Sequence, residues 1–476
     1  MARPALVEIE SQPIERYRSV LGGDFERLAG AAIHAREVFD GRTIWQVSST
    51  SRGGGVAEML QSYLPFASGA GVDMRWLVLH ESERFFEVTK RIHNLLHGYP
   101  GDGGSLGEDE VRLYEEASAK SGACLTEMIS PDDIVFLHDP QTAGLVPAVK
   151  ESGATVIWRC HIGVDQSNPH VDEAIAFLAQ YVGQADGCVF SRPDYIWDCL
   201  AVGRIYIVHP AIDPFSPKNQ ALDEDVINDI LTTLGVREGI RPESPPRFQR
   251  ADGTTGQVER RAEVLQSGLI PDAVPLIAQV SRWDLLKDHG GLMTAFAEFA
   301  PGNDAHLALI GPSSGAVSDD PEGEAVYTLL KDQWQKLDCD ISDRIHIINL
   351  PMDDLDENAV MVNALQRRAD ILVQKSIAEG FGLTVAEGMW KGRPVVASAV
   401  GGIRDQIVDG ESGILIEDPR DLSAFADAFR RLLADPELAR SMGEAATARV
   451  TQNFLSLPRL ADYADLLIKV ESADRA

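Results

Sequence analysis

Two glutamates eight positions apart frame a glycine-rich turn in the second half of the chain. The stretch from Lys375 to Glu387 reads KSIAEGFGLTVAE, with Glu379 before the turn. An apolar run precedes the stretch and a helical pattern follows it, so we expect free backbone amides near Gly382–Thr384. Such amides could bind a phosphate, while Glu379 accepts sugar hydroxyls and Glu387 holds a ribose diol. The alternative is a pair of glutamates that only complements the helix dipole.

A basic pair lies in another loop, SRWDLLKD, which also follows an apolar run. Loops at the carboxyl ends of parallel strands are where doubly wound sheets bind ligands. In such a loop the fork of Arg282 and the point charge of Lys287 could clamp a diphosphate and stabilise it as a leaving group. A solvated pair of salt-bridging residues is the alternative.

Two further features occupy equivalent positions in the first half. Gly53, Gly54 and Gly55 come between an apolar run and a helical pattern, where small residues let the backbone approach a phosphate or a sugar. A simple tight turn is the alternative, and the absence of a following Gly-Lys-Ser/Thr excludes a Walker loop. His161 ends another apolar run, and it is either a functional residue or a structural histidine.

These residues need a scaffold that places strand ends together, and the apolar pattern supplies one. Short apolar runs alternate with helix-like segments in both halves, which indicates parallel βαβ units. A polar stretch at 241–256 breaks this rhythm, and we interpret it as a mobile insertion. We therefore predict domains at 1–215 and 271–455, a linker with the insertion at 216–270, and a C-terminal helix at 456–476 that packs on the first domain. The first forty residues read as helical. The predicted strands cover 43–48, 74–79, 133–137, 155–160, 187–190, 204–208, 275–281, 306–310, 344–348, 371–374 and 395–398.

Composition limits the function classes. The chain has 476 residues, 44% of them hydrophobic, and a net charge of −30. The acidic balance argues against nucleic acid and anionic membranes as partners, and no apolar run reaches the ~18 residues of a membrane helix. The start of the chain lacks the apolar core of a signal peptide. Five scattered cysteines without CxxC spacing argue against zinc and for a reducing compartment, so we expect a cytoplasmic protein.

Taken together, these motifs resemble the retaining glycosyltransferases of family 4, which have the GT-B fold. The glutamate pair, the basic clamp and the first glycine loop all match, and the similarity extends over most of 42–415. Within that family the chain is most similar to the trehalose glycosyltransferring synthases. The stretches that carry this similarity are STSRGGGVAE at 49–58, FFEVTK at 85–90, HDPQ at 138–141 and QKSIAEGFGLT at 374–384.

The resemblance implies an α/β protein with two Rossmann-like doubly wound domains and an active site in the interdomain cleft. It also implies retaining transfer of glucose from NDP-glucose to free glucose, which gives trehalose reversibly. The resemblance further implies ADP-glucose or UDP-glucose as co-substrate, with no tightly bound cofactor and no metal. Sugar and sugar nucleotide are the expected partners, and the sequence leaves open whether the protein forms a homodimer.

The implied roles fall into three sets. The catalytic set is Arg282, Lys287, Glu379 and His161, of which the last two orient the donor glucose. The acceptor set, on the N-terminal domain, is Lys90, Asp139 and Gln141. The donor-binding set is Gly53, Gly54, Gly55, Gly380, Phe381, Gly382, Leu383, Thr384 and Glu387.

Three alternatives remain at this point. A related trehalose phosphorylase would use phosphate as co-substrate. A sister enzyme would glucosylate another small acceptor, such as a polyol or glycerate. A sugar-nucleotide sensor would bind the same ligand without turnover, although the complete set of Arg282, Lys287, Glu379 and Glu387 argues against it.

Overall fold

The computed structural model describes residues 3–51, 54–313 and 321–474. It divides into two compact units. Unit 1 comprises the described residues of Met1–Ala211 and Phe454–Ala476, and unit 2 is formed by those of Ile212–Asn453. Each unit has its own sheet and its own hydrophobic core.

Within the described part of unit 1, seven strands form one sheet in the order β1-β3-β2-β4-β5-β6-β7. All neighbouring pairs are parallel except β1 with β3. The start of the chain therefore contributes an antiparallel edge strand, whereas the sequence pattern predicted only helix there. The strands are β1 (Ala5–Val7), β2 (Ile44–Ser48), β3 (Met74–Val78), β4 (Ile134–His138), β5 (Thr155–Cys160), β6 (Gly187–Phe190) and β7 (Ile205–Ile207).

Unit 2 repeats this plan. Its described residues form a seven-stranded sheet in the order β10-β13-β12-β11-β14-β15-β16, with only β10 antiparallel, and a separate hairpin of β8 and β9. The strands are β8 (Arg247–Gln249), β9 (Thr255–Gln257), β10 (Glu263–Leu265), β11 (Leu276–Val280), β12 (His306–Pro312), β13 (Ile345–Leu350), β14 (Ile371–Gln374), β15 (Val395–Ser398) and β16 (Ile414–Ile416).

Helices follow most strands and cover the sheets. Those of unit 1 are α1 (Arg18–Leu21), α2 (Phe25–Val38), α3 (Gly55–Gly69), α4 (Glu83–Leu96), α5 (Glu108–Thr126), α6 (Asp139–Ala143), α7 (Val146–Glu151), α8 (Pro169–Val182) and the C-terminal α18 (Ser456–Asp474). Those of unit 2 are α9 (Glu224–Leu234), α10 (His289–Phe299), α11 (Pro321–Trp334), α12 (Cys339–Ser342), α13 (Leu355–Arg368), α14 (Leu383–Trp390), α15 (Ile403–Gln406), α16 (Leu422–Ala434) and α17 (Pro436–Asn453). None of the helices in the described ranges is long and apolar enough to cross a membrane.

Packing explains the continuous apolar runs of the sequence. Every residue of β2 and β4 is buried, because helices cover both faces of the parallel sheet. Tyr463 of α18 lies 5.3 Å from Tyr63 and 5.7 Å from Phe136, measured between ring centroids, so the last helix packs in the core of unit 1. The predicted fold class of two Rossmann-like α/β domains is confirmed.

The polar stretch at 241–256 differs from its predicted character as a mobile insertion. It contains β8 and most of β9, and the Arg250 guanidinium donates to both carboxylate oxygens of Asp354, at 2.9 and 2.5 Å. Arg260 pairs with Glu357, a carboxylate at the start of α13 that also accepts from two backbone amides. The stretch and the residues that follow it are thus tied to the start of α13 by buried and half-buried acids. Sequence pattern missed this because the partners lie about a hundred residues further along the chain.

Candidate active site

The centre of the polar site in unit 2 is an ion pair between two residues predicted to be catalytic. The Lys287 ammonium lies 2.5 Å from Glu379 Oε2. Lys287 ends a short 3-10 helix after β11, and Glu379 follows β14, the neighbouring strand. Their side chains are only 15% and 12% exposed, so the pair is largely desolvated and neutralises itself.

Neighbouring side chains hold the carboxylate of Glu379 in place. The Ser376 hydroxyl donates to Glu379 Oε2 at 3.1 Å, and the Gln374 amide donates to the same oxygen at 3.3 Å. Thr384, at the start of α14, donates in turn to Gln374 Oε1 at 2.9 Å. The network links the end of β14 to the first turn of α14. The acid is therefore pre-oriented by its own strand and by the following helix.

The glycine turn gives α14 an open N-terminus. Gly382 has a φ of 83°, which favours glycine, and it has no side chain with which to cap the helix that begins at Leu383. The amide of Gln406 donates to the Phe381 and Gly382 carbonyls at 2.5 and 3.2 Å and fixes the turn from behind. The turn also packs against Gly402, whose amide donates to the Gly380 carbonyl at 3.2 Å. First-turn amides in such a position favour an anion.

Arg282 lies in the same loop as Lys287 but in a different setting. Its side chain is 55% exposed, and its Nη2 lies 3.4 Å from Asp284 Oδ2. Asp284 also accepts from the Leu286 amide at 2.8 Å and so shapes the loop. The structure therefore places Arg282 beside the predicted clamp as a solvent-facing cation.

Glu387 occupies a buried position on α14, unlike an open ribose site. Lys218 lies 3.4 Å from Glu387 Oε1, and the Gln366 amide donates to Oε2 at 3.3 Å. Only 3% of the Glu387 side chain is exposed. One turn further, Lys391 is buried, and desolvation lowers the pKa of its ammonium to about 7. The predicted ribose ligand is thus part of a buried polar cluster.

A second ion pair of unit 2 was not predicted. Lys375 is fully buried, and its ammonium pairs with Asp288, which caps the N-terminus of α10. Lys375 also lies 5.4 Å from the ring centroid of Phe425, measured from its Nζ. The available sequence signal was a lysine directly after a buried strand. Its partner Asp288, 87 residues earlier, could not be predicted from the sequence pattern.

The polar site of unit 1 is built around His161. His161 Nε2 lies 3.0 Å from His138 Nδ1, and His138 Nε2 lies 2.8 Å from Gln46 Oε1. Arg159 Nε lies 3.4 Å from His161 Nδ1. Burial lowers the pKa of His138 to about 3 and that of His161 well below its usual value, and the charge of Arg159 acts in the same direction. The two imidazoles are therefore neutral at physiological pH.

Asp139 contacts His161 through the backbone. Asp139 Oδ1 accepts from the His161 amide at 2.7 Å, and the residue adopts a φ of 62°. Burial raises the pKa of its carboxyl to about 7, although this hydrogen bond and Arg159 oppose the shift. Non-glycine residues in the left-handed region are uncommon in proteins as a whole, and those that occur cluster at functional sites.

The remaining predicted residues of unit 1 have separate surroundings. Gly54, with a φ of 82°, precedes α3, and both Gly54 and Gly55 are exposed. Lys90 is exposed on α4. Gln141 lies on α6, and its buried Oε1 has no hydrogen-bond partner among the described residues. Gly53 lies outside the residues that the structure describes.

The structure thus joins Lys287 to Glu379 and Asp139 to His161, while Arg282 and Glu387 keep other partners. Sequence reasoning missed the polar residues inside the buried strands of unit 1, which are Gln46, His138 and Arg159. A polar residue within an apolar run was the signal, because parallel strands buried on both faces are otherwise apolar. Within the described ranges, no group of three His, Cys, Asp or Glu side chains could hold a metal ion.

Comparison with known proteins matches both halves of the chain. The family model described as the trehalose synthase N-terminal domain matches residues 46–197, and the model of glycosyl transferases group 1 matches residues 261–449. The segment between the two matches includes the β8–β9 hairpin.

Curated relatives match along almost the whole chain. The trehalose synthase of Rubrobacter xylanophilus is 36% identical over 461 residues, which cover 93% of this chain and 93% of the relative. The trehalose phosphorylase of Pleurotus pulmonarius is 27% identical over 467 residues, which cover 92% of this chain but 58% of that protein.

Solved structures share the fold at low sequence identity. The α,α-trehalose 6-phosphate synthase of Burkholderia multivorans has a TM-score of 0.63 and 16% identity, with 91% of this chain and 98% of that chain covered. A structure from E. coli bound with UDP-2-fluoro glucose has a TM-score of 0.66 and 14% identity, with 89% and 98% covered. These neighbours identify the architecture as GT-B. With the identity to full-length relatives, the two matching domains and the fold in agreement, the chain belongs to the trehalose synthase family of glycosyltransferases.

Proposed function

We propose that this protein is a retaining glucosyltransferase that joins the glucose of NDP-glucose to free glucose and so forms trehalose reversibly. The observation that carries the proposal is the 2.5 Å pair of Lys287 and Glu379 beside the N-terminus of α14. A cation, a carboxylate and free helical amides suit a ligand with a phosphate next to a sugar. Family membership and the UDP-sugar in a structural neighbour support the same ligand class.

The pair explains how unit 2 could keep a lysine ready for such a ligand. It avoids the free-energy cost of an unpaired, desolvated charge when no ligand is bound. Without ligand, Glu379 neutralises Lys287, and the two charges compensate their loss of water. When the diphosphate binds, the Lys287 ammonium turns to a phosphate oxygen and Glu379 accepts hydroxyls of the glucose. Arg282, already facing solvent, adds its charge on the diphosphate. The amides after Gly382 complete the anion site.

The chemical step then needs positioning and charge stabilisation rather than a protein nucleophile. The bond between glucose C1 and the phosphate oxygen breaks, and the acceptor hydroxyl oxygen bonds to C1 from the same face. The departing phosphate oxygen takes the acceptor proton. Lys287 and Arg282 stabilise the negative charge that develops on the diphosphate, which is where electrostatic catalysis has its largest effect.

The acceptor glucose is a neutral ligand, and we assign it to unit 1. Gln141 offers a buried carbonyl oxygen that lacks a partner among the described residues, and Asp139 of the same helix α6 accepts from the His161 amide. Lys90 is exposed and available as a donor. A buried polar atom without a partner costs free energy, which a sugar hydroxyl would recover.

A mass-spectrometric screen tests the proposal. The protein is incubated with ADP-glucose or UDP-glucose and a panel of glucose, polyols and glycerate. We expect a disaccharide and nucleoside diphosphate with glucose, and neither product with the donor alone. A product with another acceptor only would replace glucose in the proposal, and tight binding of donor without turnover would indicate a sensor.

Phosphorolysis is a second candidate, because trehalose phosphorylases are among the relatives. Such an enzyme would cleave trehalose with inorganic phosphate and without any nucleotide. Incubating trehalose with phosphate alone distinguishes the two activities. Glucose 1-phosphate formed under these conditions would contradict the nucleotide-dependent proposal.

A further inference from the structure

Four polar side chains of unit 1 form a continuous hydrogen-bonded chain across its buried sheet. It runs from Arg159 Nε to His161 Nδ1 at 3.4 Å, from His161 Nε2 to His138 Nδ1 at 3.0 Å, and from His138 Nε2 to Gln46 Oε1 at 2.8 Å. Gln46, His138 and Arg159 lie on the adjacent strands β2, β4 and β5. All ring nitrogens of both histidines are used within this chain.

Arg159 sets the direction of every bond in it. A guanidinium has only donors, so His161 Nδ1 must be the acceptor and carry no proton. A neutral imidazole with a bare Nδ1 has its proton on Nε2, and His161 therefore donates to His138 Nδ1. The same reasoning puts the His138 proton on Nε2, where it meets the carbonyl oxygen of Gln46. The opposite direction fails at the first step, because two donors would face each other.

The surroundings keep both rings uncharged and Arg159 in place. Arg159 is fully buried, its Nη2 donates to the Val208 carbonyl at 3.1 Å, and its guanidinium carbon lies 5.1 Å from the ring centroid of Tyr463. Two titratable groups contact this hydrogen-bonded chain: Asp139, whose Oδ1 accepts from the His161 backbone, and Tyr63, whose hydroxyl donates to Gln46 at 3.3 Å. Cys160 and Arg459 also act on the charge of Arg159. A buried cation 3.4 Å from an imidazole opposes a second positive charge on it.

We infer that Arg159 is a positioning residue that fixes His161 as the neutral tautomer with its proton on Nε2. His161 Nε2 is then a hydrogen-bond donor to His138, and this bond fixes the ring that we assign to the orientation of the donor glucose. Only this last part rests on the proposed function. The tautomer itself follows from the contacts of the free protein.

Nitrogen NMR of the full-length protein labelled with ¹⁵N-histidine tests the tautomer directly. At neutral pH we expect His161 Nδ1 to resonate as an unprotonated nitrogen and Nε2 as a protonated one, with His161→Gln used for assignment. A protonated Nδ1, a cationic ring, or a rapid average of the two tautomers in the wild-type protein would overturn the inference. This result does not depend on activity or on the folding of any Arg159 variant.

Variants of Arg159 test the function of the tautomer. Arg159→Met removes the donor, and we expect mixed tautomers of His161 and a fall in turnover of about tenfold, the scale of one charged hydrogen bond. Nucleoside diphosphate affinity, measured by calorimetry, should stay unchanged. Arg159→Lys keeps a donor and should restore the tautomer and most of the turnover. Arg204→Met, which removes an arginine bonded to the Ala185 carbonyl of the same unit, is the matched control and should behave as wild type.

The outcomes separate this inference from the proposed function. The expected tautomer in a protein without glucosyl transfer would refute the proposed function and leave the role of Arg159 in the free protein intact. Equal loss of turnover in Arg159→Met and Arg159→Lys, with the tautomer unchanged in both, would refute the positioning role.

Discussion

The two units share one architecture, but the polar groups around their predicted site residues differ in charge. In unit 2, charges lie in pairs at the strand ends, as Lys287 with Glu379 and Lys375 with Asp288. In unit 1, the polar groups at the equivalent edge are mostly neutral, with His161 uncharged and Asp139 carrying a raised pKa of about 7. Pairing keeps charge available in a desolvated site, whereas burial without a charged partner removes it.

This difference matches the two substrates of the proposed reaction. A diphosphate needs cations that can exchange one anionic partner for another, and unit 2 offers Lys287 in that state. A neutral sugar needs donors and acceptors, and unit 1 offers Gln141, whose buried Oε1 lacks a partner among the described residues, and the exposed Lys90. The repeated fold therefore leaves substrate chemistry to a few residues at the strand ends.

Removing either cation of the proposed diphosphate site in unit 2 should have the largest effect. We predict that Lys287→Ala or Arg282→Ala lowers turnover by at least about a hundredfold, the scale of one lost electrostatic contact in a transition state. Steady-state kinetics with circular dichroism as a folding check measures this. Arg440→Ala removes an arginine that is also paired, with Glu437 and Glu444, but is exposed on α17, and it should leave turnover unchanged. Near-normal turnover of Lys287→Ala would remove that residue from the site.

The two glutamates of unit 2 should separate into two roles. Glu379→Gln keeps hydrogen-bond acceptors but loses charge, and we expect turnover to fall about tenfold or more with nucleoside diphosphate affinity retained. Glu387→Gln should weaken that affinity about tenfold and affect turnover less, because it removes the charge beside Lys218 in the buried cluster that supports α14, the helix whose N-terminus forms the anion site. Calorimetry with nucleoside diphosphate alone makes the distinction. A large loss of affinity in Glu379→Gln and none in Glu387→Gln would reverse the assignment.

The raised pKa of Asp139 in unit 1 should make the free energy of unfolding depend on pH. The pKa of Asp139 is raised from 3.8 to about 7, so the native state binds more protons than the unfolded state between these values. Its contribution therefore reduces the free energy of unfolding as pH rises through this window, by about 4 kcal/mol in total.

Asp139→Asn should abolish that part of the slope. Asn tolerates the positive φ of 62° at this position and keeps an acceptor for the His161 amide. Urea unfolding of both proteins at several pH values gives the comparison. Identical slopes for the two proteins would show that Asp139 is ionised in the native state and that unit 1 is not neutral there.

The smallest expected effect concerns the acceptor. Gln141→Ala should raise the KM for glucose by about tenfold or less, since it removes one neutral hydrogen bond. The affinity for nucleoside diphosphate should not change, because we assign that ligand to unit 2. Gln184→Ala, on a residue whose amide donates to the Gln180 carbonyl at an exposed position, serves as the control. An altered diphosphate affinity with an unchanged KM for glucose would contradict the division of substrates.

Local pattern was sufficient for much of this scaffold. Continuous apolar runs located the parallel strands, and the glycine turn with Glu379 located the start of α14, because both depend on neighbours in sequence. The placement of Lys287 and Glu379 at one edge of a parallel sheet was predicted, whereas their ion pair was not. The hairpin tied to Asp354 could not be predicted, because about a hundred residues separate the partners.

The polar site of unit 1 was equally hidden. Its members Gln46, His138 and Arg159 are single polar residues in three strands, and their meeting depends on the strand order β2-β4-β5. The burial of Glu387 beside Lys218 also needed the fold, since the lysine lies far outside the motif. Long-range strand order and desolvation are set by the whole chain, and short motifs do not report them.

The most direct test of the central claim is the anomeric configuration of the fresh product. The protein is supplied with an α-linked glucose donor and free glucose, and proton NMR is recorded before any equilibration, with mass spectrometry of the protein in parallel. Our account predicts the α,α-linked non-reducing disaccharide and no glucosyl adduct on the chain. A β linkage from the donor glucose, or a covalent adduct at any carboxylate, would contradict it.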